Sequence, residues 1–259
     1  GTQPIEYTIT AAQPWIVLEQ QQGPGRDRRY WVSIDWAKAP DGASTGEILV
    51  KGSRTVAVKV PVIKATPAQH AAAQGRFASL TGPIAIAASA VTKQTEVAGV
   101  RWMVLPDYGR VEAAMTIHPV TAASVLPPAA APTLEYPVYL PREGTYTVTL
   151  VLGPVMDFVP DRGLRIAVAF DDQPPQVLDI FADRAAETFL GGNWSSRAAR
   201  DNARRLTWSH QLASAGPHVL KISMVDPGIV LQTVIINDRP LPESYFGPEP
   251  MAIQGSFGH

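Results

Sequence analysis

The sequence predicts an all-β protein in which a small immunoglobulin-like β-sandwich is followed by a larger jelly-roll β-sandwich. Three observations predict this fold class. Many segments of four to nine residues alternate apolar and polar side chains, which is the period of a half-buried strand. The 24 prolines and 20 glycines mark many of the turns between these segments. Few segments show the longer period of an amphipathic helix.

Residues 1–64 predict the first sandwich. Residues 30–36 alternate as one strand, residues 46–50 form a short second strand, and a valine recurs at every second position from Val56 to Val62. Pro61 has no N–H to donate to a neighbouring strand. The strand that contains it is therefore expected at an edge of its sheet, or to end there.

Residues 65–75 are rich in alanine and bounded by proline and glycine, which predicts a short helical linker. Residues 76–259 follow as the jelly roll with a C-terminal tail, because about nine strand-like segments with turn signals between them are typical of that architecture. Within it, residues 182–190 and 196–206 are the two segments predicted to be helical.

The clearest strand patterns lie in the second half of the chain. Residues 145–152 place tyrosine, valine and leucine on one face and three threonines on the other. Residues 218–225 alternate strictly, whereas residues 229–236 are apolar on both faces, as in a strand that is buried on two sides. The turn signal Asp226-Pro227-Gly228 between them predicts a hairpin.

Charge and cysteine content exclude several classes of function. The chain of 259 residues has 22 basic and 23 acidic side chains, so neither nucleic acid nor an anionic membrane is expected as a partner. No apolar run reaches membrane-spanning length. Without cysteine there is no disulfide framework, thiolate metal site or cysteine nucleophile, which fits either the cytosol or a bacterial periplasm.

A set of short segments, in this order and spacing, resembles the C-terminal region of family 115 glycoside hydrolases, the xylan α-1,2-glucuronidases. The segments are Val100-Arg101-Trp102, Gly109-Arg110, residues 114–120 (AMTIHPV), 134–139 (LEYPVY), 163–172 (GLRIAVAFDD), Asp201-Asn202, 216–222 (GPHVLKI) and 244–249 (SYFGPE). The run from Val32 through Gly46 resembles the small sandwich that precedes that region in the family. The similarity covers nearly the whole chain.

The resemblance implies a galactose-binding-like jelly roll and a role without catalysis. The family's chemistry takes place on a barrel domain, and nothing in this chain resembles that barrel. The chain is thus expected to brace its own catalytic barrel, or to mediate dimerisation, and to lack enzymatic activity by itself. The resemblance also implies a secreted or periplasmic location. The chain shows no signal peptide, and we expect the natural protein to extend upstream of Thr2.

One departure from the family bears on metal binding. The family often has an acidic strand where this chain reads IAIAAS at residues 84–89. In related carbohydrate-binding jelly rolls, acidic residues in such a strand help to hold calcium. Alanine has no side-chain oxygen, and calcium requires six to eight oxygen ligands, so we expect no metal there and no other cofactor.

A catalytic constellation is not evident. A glycosidase needs two carboxyl groups on either side of the bond. The candidates stand in loops or turn signals, where acids are more often structural: Asp157, Asp161, Asp171, Asp172 and Asp226. The histidines show no metal-ligand spacing. We expect His118 and His218 to be hydrogen-bonded residues of strands or turns.

The alternative function is a carbohydrate-binding module that recognises xylan or glucuronoxylan. An aromatic ring can stack on a sugar, and Trp194, Tyr108 and Tyr245 are the candidates. The competing interpretation for Trp194 is packing, and a core position is expected for Trp102 and Trp208 because they lie in strand-like runs.

An arginine cluster adds a second candidate contact for this alternative. Arg197 and Arg200, with Arg204 and Arg205, could meet the carboxylate of a glucuronic acid, because guanidinium groups match carboxylates in shape and charge. A solvated helix face that pairs with acids such as Asp201 is the competing interpretation.

Overall fold

The computed structural model describes residues 6–22, 28–111, 113–155, 158–159, 162–182, 204–242, 244 and 247–255. These residues are almost entirely β, as predicted, with one α-helix among them, α1 (Pro67–Ala73). The chain divides into two compact units. The first comprises Gly1–His70 with Gly258–His259, and the second comprises Ala71–Phe257.

The described residues of the first unit form five antiparallel strands in two layers. They are β1 (Thr8–Ala11), β2 (Ile16–Gln22), β3 (Arg28–Ile34), β4 (Gly42–Lys51) and β5 (Thr55–Lys64). One layer is a sheet in the order β1-β4-β5, and the other is the ribbon β2-β3. Pro61 lies on β5, at the edge of its sheet, which confirms the prediction for this proline.

Gly46 allows the two layers of this unit to approach each other. A Cβ atom at this position would lie 2.6 Å from side-chain atoms of both Trp15 and Ile16, so only glycine fits without displacement. The strand around it, β4, begins at Gly42 and is longer than the predicted residues 46–50. The core at this point consists of Trp15, Ile16, Ala39, Ile48 and Val62.

The far end of the same unit is open. Val58 pairs with Ile48, which is buried, so both side chains face the core side of the sheet. Val58 is nevertheless 47% exposed and Val56 is 55% exposed. On the ribbon, Val32 pairs with Leu18, which is partly buried against the core, but Val32 is 45% exposed. Inward-facing valines of both layers therefore remain uncovered.

The helix expected between residues 65 and 75 is present as α1. Thr66 and Gln69 form a capping box at its start, in which the Gln69 N–H donates to Thr66 Oγ1 (3.2 Å) and the Thr66 N–H donates to Gln69 Oε1 (2.9 Å). The boundary between the two units falls inside this helix, after His70. The domain limits 1–64, 65–75 and 76–259 stay a prediction.

The second unit is a sandwich of two sheets, each with six strands among the described residues. Its strands are β6 (Phe77–Ala78), β7 (Ile84–Ala87), β8 (Lys93–Thr95), β9 (Arg101–Pro106), β10 (Ala113–His118), β11 (Thr133–Leu140), β12 (Gly144–Leu152), β13 (Arg165–Phe170), β14 (Gln176–Asp179), β15 (Arg204–Leu212), β16 (Gly216–Met224) and β17 (Val230–Asn237). Sheet I has the order β15-β12-β17-β10-β9, with β7 also paired to β17. Sheet II has the order β14-β13-β16-β11-β6, with β8 also paired to β11.

The inward faces of the two sheets form one large core. Strand β16 places His218, Leu220, Ile222 and Met224 toward it, as its alternation predicts. Strand β17 is buried on both faces over residues 231–237, which confirms the prediction for this segment. Removing this much apolar surface from water is the main contribution to the stability of such a unit.

The predicted hairpin at residues 218–236 is wrong. Strands β16 and β17 are not neighbours; β16 belongs to sheet II and β17 to sheet I. The turn at residues 226–228 therefore carries the chain across the core from one sheet to the other. A turn signal marks where a strand ends, but partner choice depends on which faces need to be buried, and both strands have apolar faces that meet across the core.

The prediction of a helix over residues 196–206 is wrong for its last three residues, 204–206, which are the part that the structure describes. Arg204, Arg205 and Leu206 begin β15, while residues 183–203 lie outside the described residues. From Leu206 to Leu212 every second side chain faces inward, and β15 pairs with β12 along its whole length. This period of two outweighs the helical spacing of the arginines because it buries Trp208.

Candidate functional site

Of the predicted sugar-binding residues, Tyr108 and, from the arginine cluster, Arg204 and Arg205 lie within the described part of the chain. Trp194, Arg197, Arg200 and Tyr245 lie outside it. Tyr108 follows β9 and is half-buried. Its side chain packs over Gly153, where an added Cβ atom would lie 2.4 Å from the tyrosine hydroxyl oxygen. The structure thus gives Tyr108 a packing contact with the loop after β12.

Trp102 and Trp208 are core residues, as predicted, with exposed fractions of 2% and 8%. The indole N–H of Trp102 donates to the Pro132 carbonyl (3.1 Å). The indole N–H of Trp208 donates to Nε2 of His210 two residues along the strand. An indole N–H only donates, so Nε2 of His210 is the acceptor of this bond. Burial lowers the pKa of His210.

The turn acids are used to hold the fold together where the structure describes them. Asp226 is fully buried and accepts hydrogen bonds from three donors of Arg165. The donors are the Arg165 backbone N–H (2.8 Å), Nε (2.8 Å) and a terminal nitrogen (3.1 Å). Burial alone would raise the pKa of Asp226, but the hydrogen bonds from Arg165 and Ser124 hold that pKa below its usual value. Asp226 therefore fixes the crossing between the sheets.

Asp171 has a similar role at the end of β13. It adopts a positive φ of 52° and accepts hydrogen bonds from the Val219 N–H (2.8 Å) and from Nδ1 of His218 (2.7 Å). Asp172 beside it contacts Lys221 at the surface. Asp157 and Asp161 lie outside the described residues. His218 is thus a hydrogen-bonded strand residue, as predicted.

The described residues contain no cluster of three or more histidine, aspartate or glutamate side chains that could hold a metal ion. None of their helices has both the length and the apolar character that a membrane crossing requires.

A cleft lies on the outward face of sheet I. Its volume is about 720 Å³, and we call it the threonine cleft after the residues on its floor. The floor consists of Thr145, Thr147 and Thr149 of β12, Arg205 and Thr207 of β15, and Ile235 and Asn237 of β17. The wall is the chain that follows β17, from Asp238 through Pro242, with Ser244, Gly247 and Pro248.

Strand register explains the polar floor. Thr149 pairs with Thr207 on one side, and their hydroxyl oxygens are 3.0 Å apart. Thr147 pairs with Asn237 on the other side, so these two side chains share the outward face. Thr145 donates to the side chain of Gln211 (2.7 Å). The threonine alternation in residues 145–149 was visible in the sequence, but the strands beside it were not.

Asn237 has a buried polar atom without a hydrogen-bond partner in the structure. Its side chain is 8% exposed, and its amide N–H donates to the Arg239 carbonyl (2.7 Å). Since a carbonyl only accepts, this bond fixes which end of the amide is nitrogen. The opposite atom, Oδ1, has no hydrogen-bond partner. Leaving a buried acceptor unpaired costs about 1–3 kcal/mol.

Charged groups around the cleft are paired with each other or with the backbone. Arg142 donates to the Asp238 carboxylate through Nε (3.0 Å) and a terminal nitrogen. Arg205 donates to the Ser244 carbonyl (2.9 Å). Beyond the cleft, the Met251 N–H donates to the Ala85 carbonyl (2.8 Å), which ties the tail to strand β7.

The sequence profile of the glycosyl hydrolase family 115 C-terminal domain matches residues 76–250, which is more than half of the chain. The small preceding sandwich lies outside this match. No curated protein matches the chain in sequence.

Solved structures give similarities of low identity. A family GH115 4-O-methyl-α-glucuronidase with specificity for decorated arabinogalactans is 17% identical, with a TM-score of 0.43 over 60% of this chain. The chain spans about 17% of the length of that enzyme. The C-terminal CBM6 of a laminarinase from Zobellia galactanivorans is 13% identical, with a TM-score of 0.39 over 61% of this chain and 100% of that one.

A family 35 carbohydrate-binding module from Clostridium thermocellum is 10% identical, with a TM-score of 0.38 over 60% of this chain and 98% of that one. The family assignment depends on the sequence match, which confirms the resemblance seen in segments such as GLRIAVAFDD and GPHVLKI. The chain belongs to the family of glycosyl hydrolase family 115 C-terminal domains.

Proposed function

We propose that the chain is the non-catalytic C-terminal accessory region of a xylan-directed α-glucuronidase-like glycoside hydrolase, and that it braces the catalytic barrel of that enzyme outside the cytoplasm. The observation that carries the proposal is the match of residues 76–250 to the C-terminal domain of this hydrolase family. The chain is accordingly a fragment of a longer enzyme and has no activity by itself.

The state of the acids supports a role without catalysis. A retaining glycosidase needs two carboxyl groups about 5 Å apart, and an inverting one needs them roughly 6.5–9.5 Å apart with room for water. Asp226 is instead fully buried against Arg165, and Asp171 is bonded to His218 and the backbone of Val219. Neither carboxylate has a geometry that suits a sugar bond.

The open end of the first unit supports a bracing surface. Val56 and Val58 lie on edge strand β5 and face the side on which a second layer would cover them. Exposed inward-facing valines next to an edge strand are typical of a surface that another polypeptide covers. The occupant that fits an accessory region is the remainder of the same enzyme.

The test compares two variants of the full-length enzyme. A double variant, Val56→Lys with Val58→Lys, should lower the temperature at which glucuronidase activity is lost, because charges cannot be buried against the barrel. The matched control is Val104→Lys, which changes an exposed valine on edge strand β9 of the second unit. Equal inactivation temperatures for both variants would refute bracing through this surface.

The isolated chain provides the assay of activity itself. Incubation with aldouronic acids should release no glucuronic acid. Turnover that persists after purification would refute the non-catalytic role. Sedimentation velocity of the same sample tests the homodimer, which stays part of the proposal as an alternative way in which an accessory region supports its enzyme.

A carbohydrate-binding module for xylan or glucuronoxylan is the second candidate function. The observation that favours it is the threonine cleft, whose volume lies within the range of roughly 300–1,000 Å³ of small-molecule sites. The predicted contacts for this function stay Trp194, Tyr108, Tyr245, Arg197 and Arg200. Calorimetric titration with glucuronoxylan fragments, with Trp194→Ala as a variant, tests those residues; no heat of binding would leave the bracing role alone.

A further inference from the structure

We propose that the outward face of the ribbon β2-β3 binds the main chain of a xylan-type polysaccharide, with the ring of Trp31 stacked on one of its sugars. The proposal rests on the second candidate function above and gives it a contact surface in the first unit, apart from the threonine cleft. We call this surface the Trp31 platform. It consists of the outward-facing residues of the two strands, Val17, Glu19, Gln21, Arg29, Trp31 and Ser33.

Strand alternation places Trp31 on the face away from the core. On β2, Ile16 belongs to the core of the first unit and Leu18 packs against it, so the positions between them face outward. Trp31 pairs with Glu19, and directly opposite residues share one face of a ribbon. Trp31 is 62% exposed. Because tryptophan is on average a highly buried residue, a ring held open on a regular strand is a candidate contact for a ligand.

Hydrogen-bonding side chains surround this ring. Glu19 lies directly opposite Trp31, and the Cβ atoms of such a pair are about 5 Å apart. Arg29 and Ser33 lie two residues before and after Trp31 on β3, which is about 7 Å to either side of it. Gln21 pairs with Arg29 across the ribbon. All five residues are exposed, so their donors and acceptors are open to a ligand from solvent.

The platform matches the two kinds of surface that a pyranose presents. The C–H groups on the face of the sugar ring are apolar and can stack on an indole ring, whereas the hydroxyl groups at its edge need hydrogen-bond partners. The carboxylate of Glu19 accepts from hydroxyl groups, the guanidinium of Arg29 donates to them, and the amide of Gln21 can do both. The surface is a strip along two strands and not an enclosed pocket. A strip suits an extended main chain better than a single terminal sugar.

A protein partner fits the same face less well. The centre of a protein–protein interface is depleted in charged residues, whereas Trp31 has Glu19 directly opposite it and Arg29 beside it. The valines proposed above as the bracing surface, Val56 and Val58, belong to the other layer and face the core side of their sheet. The bracing surface and the Trp31 platform are therefore separate faces of the first unit.

Calorimetric titration of the chain with xylohexaose tests the platform. Trp31→Ala should weaken the binding at least ten-fold, which corresponds to about 1.4 kcal/mol of binding free energy. Trp31→Tyr keeps an aromatic face and should recover most of that loss. Since Trp31 is exposed, neither substitution removes packing from the core, and both variants are expected to fold.

The matched control is Phe158→Ala, which removes another exposed aromatic ring, in the second unit. This variant should bind xylohexaose as tightly as the unchanged chain. An equal loss of affinity in Phe158→Ala and Trp31→Ala would overturn the platform, because the effect would then not depend on the face that carries Trp31.

Failure of the platform and failure of carbohydrate binding can be told apart. Binding that Trp31→Ala leaves unchanged would overturn the platform and retain a carbohydrate-binding function at another surface. No binding of xylohexaose at millimolar concentration would overturn both. A protein partner is detected in the full-length enzyme: a lower inactivation temperature in Trp31→Ala, with xylohexaose affinity unchanged, would show that protein covers this face and would overturn the proposal.

Discussion

The two units use the same alternation of side chains but differ in how far they bury it. In the second unit, the inward-facing residues of β16, from His218 to Met224, are at most 8% exposed. In the first unit, the exposed fraction along the inward face of β5 falls from 55% at Val56 to 7% at Val62. Alternation therefore identifies a face, while burial depends on what lies opposite that face.

A second difference concerns the polar groups inside each unit. The second unit contains a buried carboxylate at Asp226, a buried imidazole at His210 and an unpaired amide oxygen at Asn237. The first unit is held instead by a close approach of two layers at Gly46. Loss of a buried polar contact and loss of close packing should change the free energy of unfolding by different amounts. Four experiments test this contrast.

The largest effect is expected for Asp226→Ala. The change removes the partner of Arg165 and the bonds that hold the crossing between the sheets. Breaking a buried ion pair costs about 3–5 kcal/mol in free energy of unfolding. Denaturation with urea measures it. The control Asp172→Ala, which changes an exposed acid beside Lys221, should leave the midpoint unchanged. Equal shifts would contradict the structural role of Asp226.

Gly46→Ala should have the next largest effect, in the first unit. The added Cβ atom would approach Trp15 and Ile16 to 2.6 Å, and such overpacking costs about 1–3 kcal/mol. In Gly52→Ala, the nearest atom would be 3.4 Å away, so this variant is the control in the same unit. A stable Gly46→Ala protein would show that the layers can separate at little cost.

Acid should weaken the second unit through His210. Since burial lowers the pKa of His210 in the folded state, its contribution to stability is complete above the unfolded value of about 6.5 and is lost as the pH falls below it. Urea midpoints at pH 7.5 and 5.5 measure this loss. The loss should persist in His118→Gln and shrink in His210→Gln; the same loss in both variants would assign it to other groups.

The smallest effect is expected for Val58→Thr, on the open face of the first unit. Substitution of an exposed residue changes the free energy of unfolding by about 0.5 kcal/mol or less. The same substitution at Val62, four residues along the same face, buries a hydroxyl group and should cost about 1–3 kcal/mol. Similar costs at both positions would show that Val58 is covered in solution.

Prediction from the sequence succeeded for features that depend on the residues of one segment alone. The alternation in residues 218–224 identified the inward face of β16, the missing N–H of Pro61 placed β5 at an edge, and the strand-like surroundings of Trp102 identified it as a core residue. Each of these depends on the backbone of one strand or on the character of one side chain.

It failed where the answer depends on a distant segment. Residues 226–228 have the composition of a hairpin turn, yet β16 and β17 separate there into different sheets. Arg204 continues the helical spacing of Arg197 and Arg200, yet it begins β15 because Trp208 is buried further along that strand. The threonine cleft could not be predicted either, since Thr147 becomes part of a site only when Asn237, 90 residues later in sequence, is placed beside it.

The sequence by itself determined that this chain is built from strands, which faces of those strands are apolar, and to which family its larger part belongs. Only the tertiary structure decided which strands are neighbours, that Asp226 is buried, and that Asn237 keeps an unpaired oxygen beside a row of threonines. The physical reason is that side-chain period is a local property of the backbone. Pairing and burial instead depend on the combined fit of surfaces that are far apart in the chain.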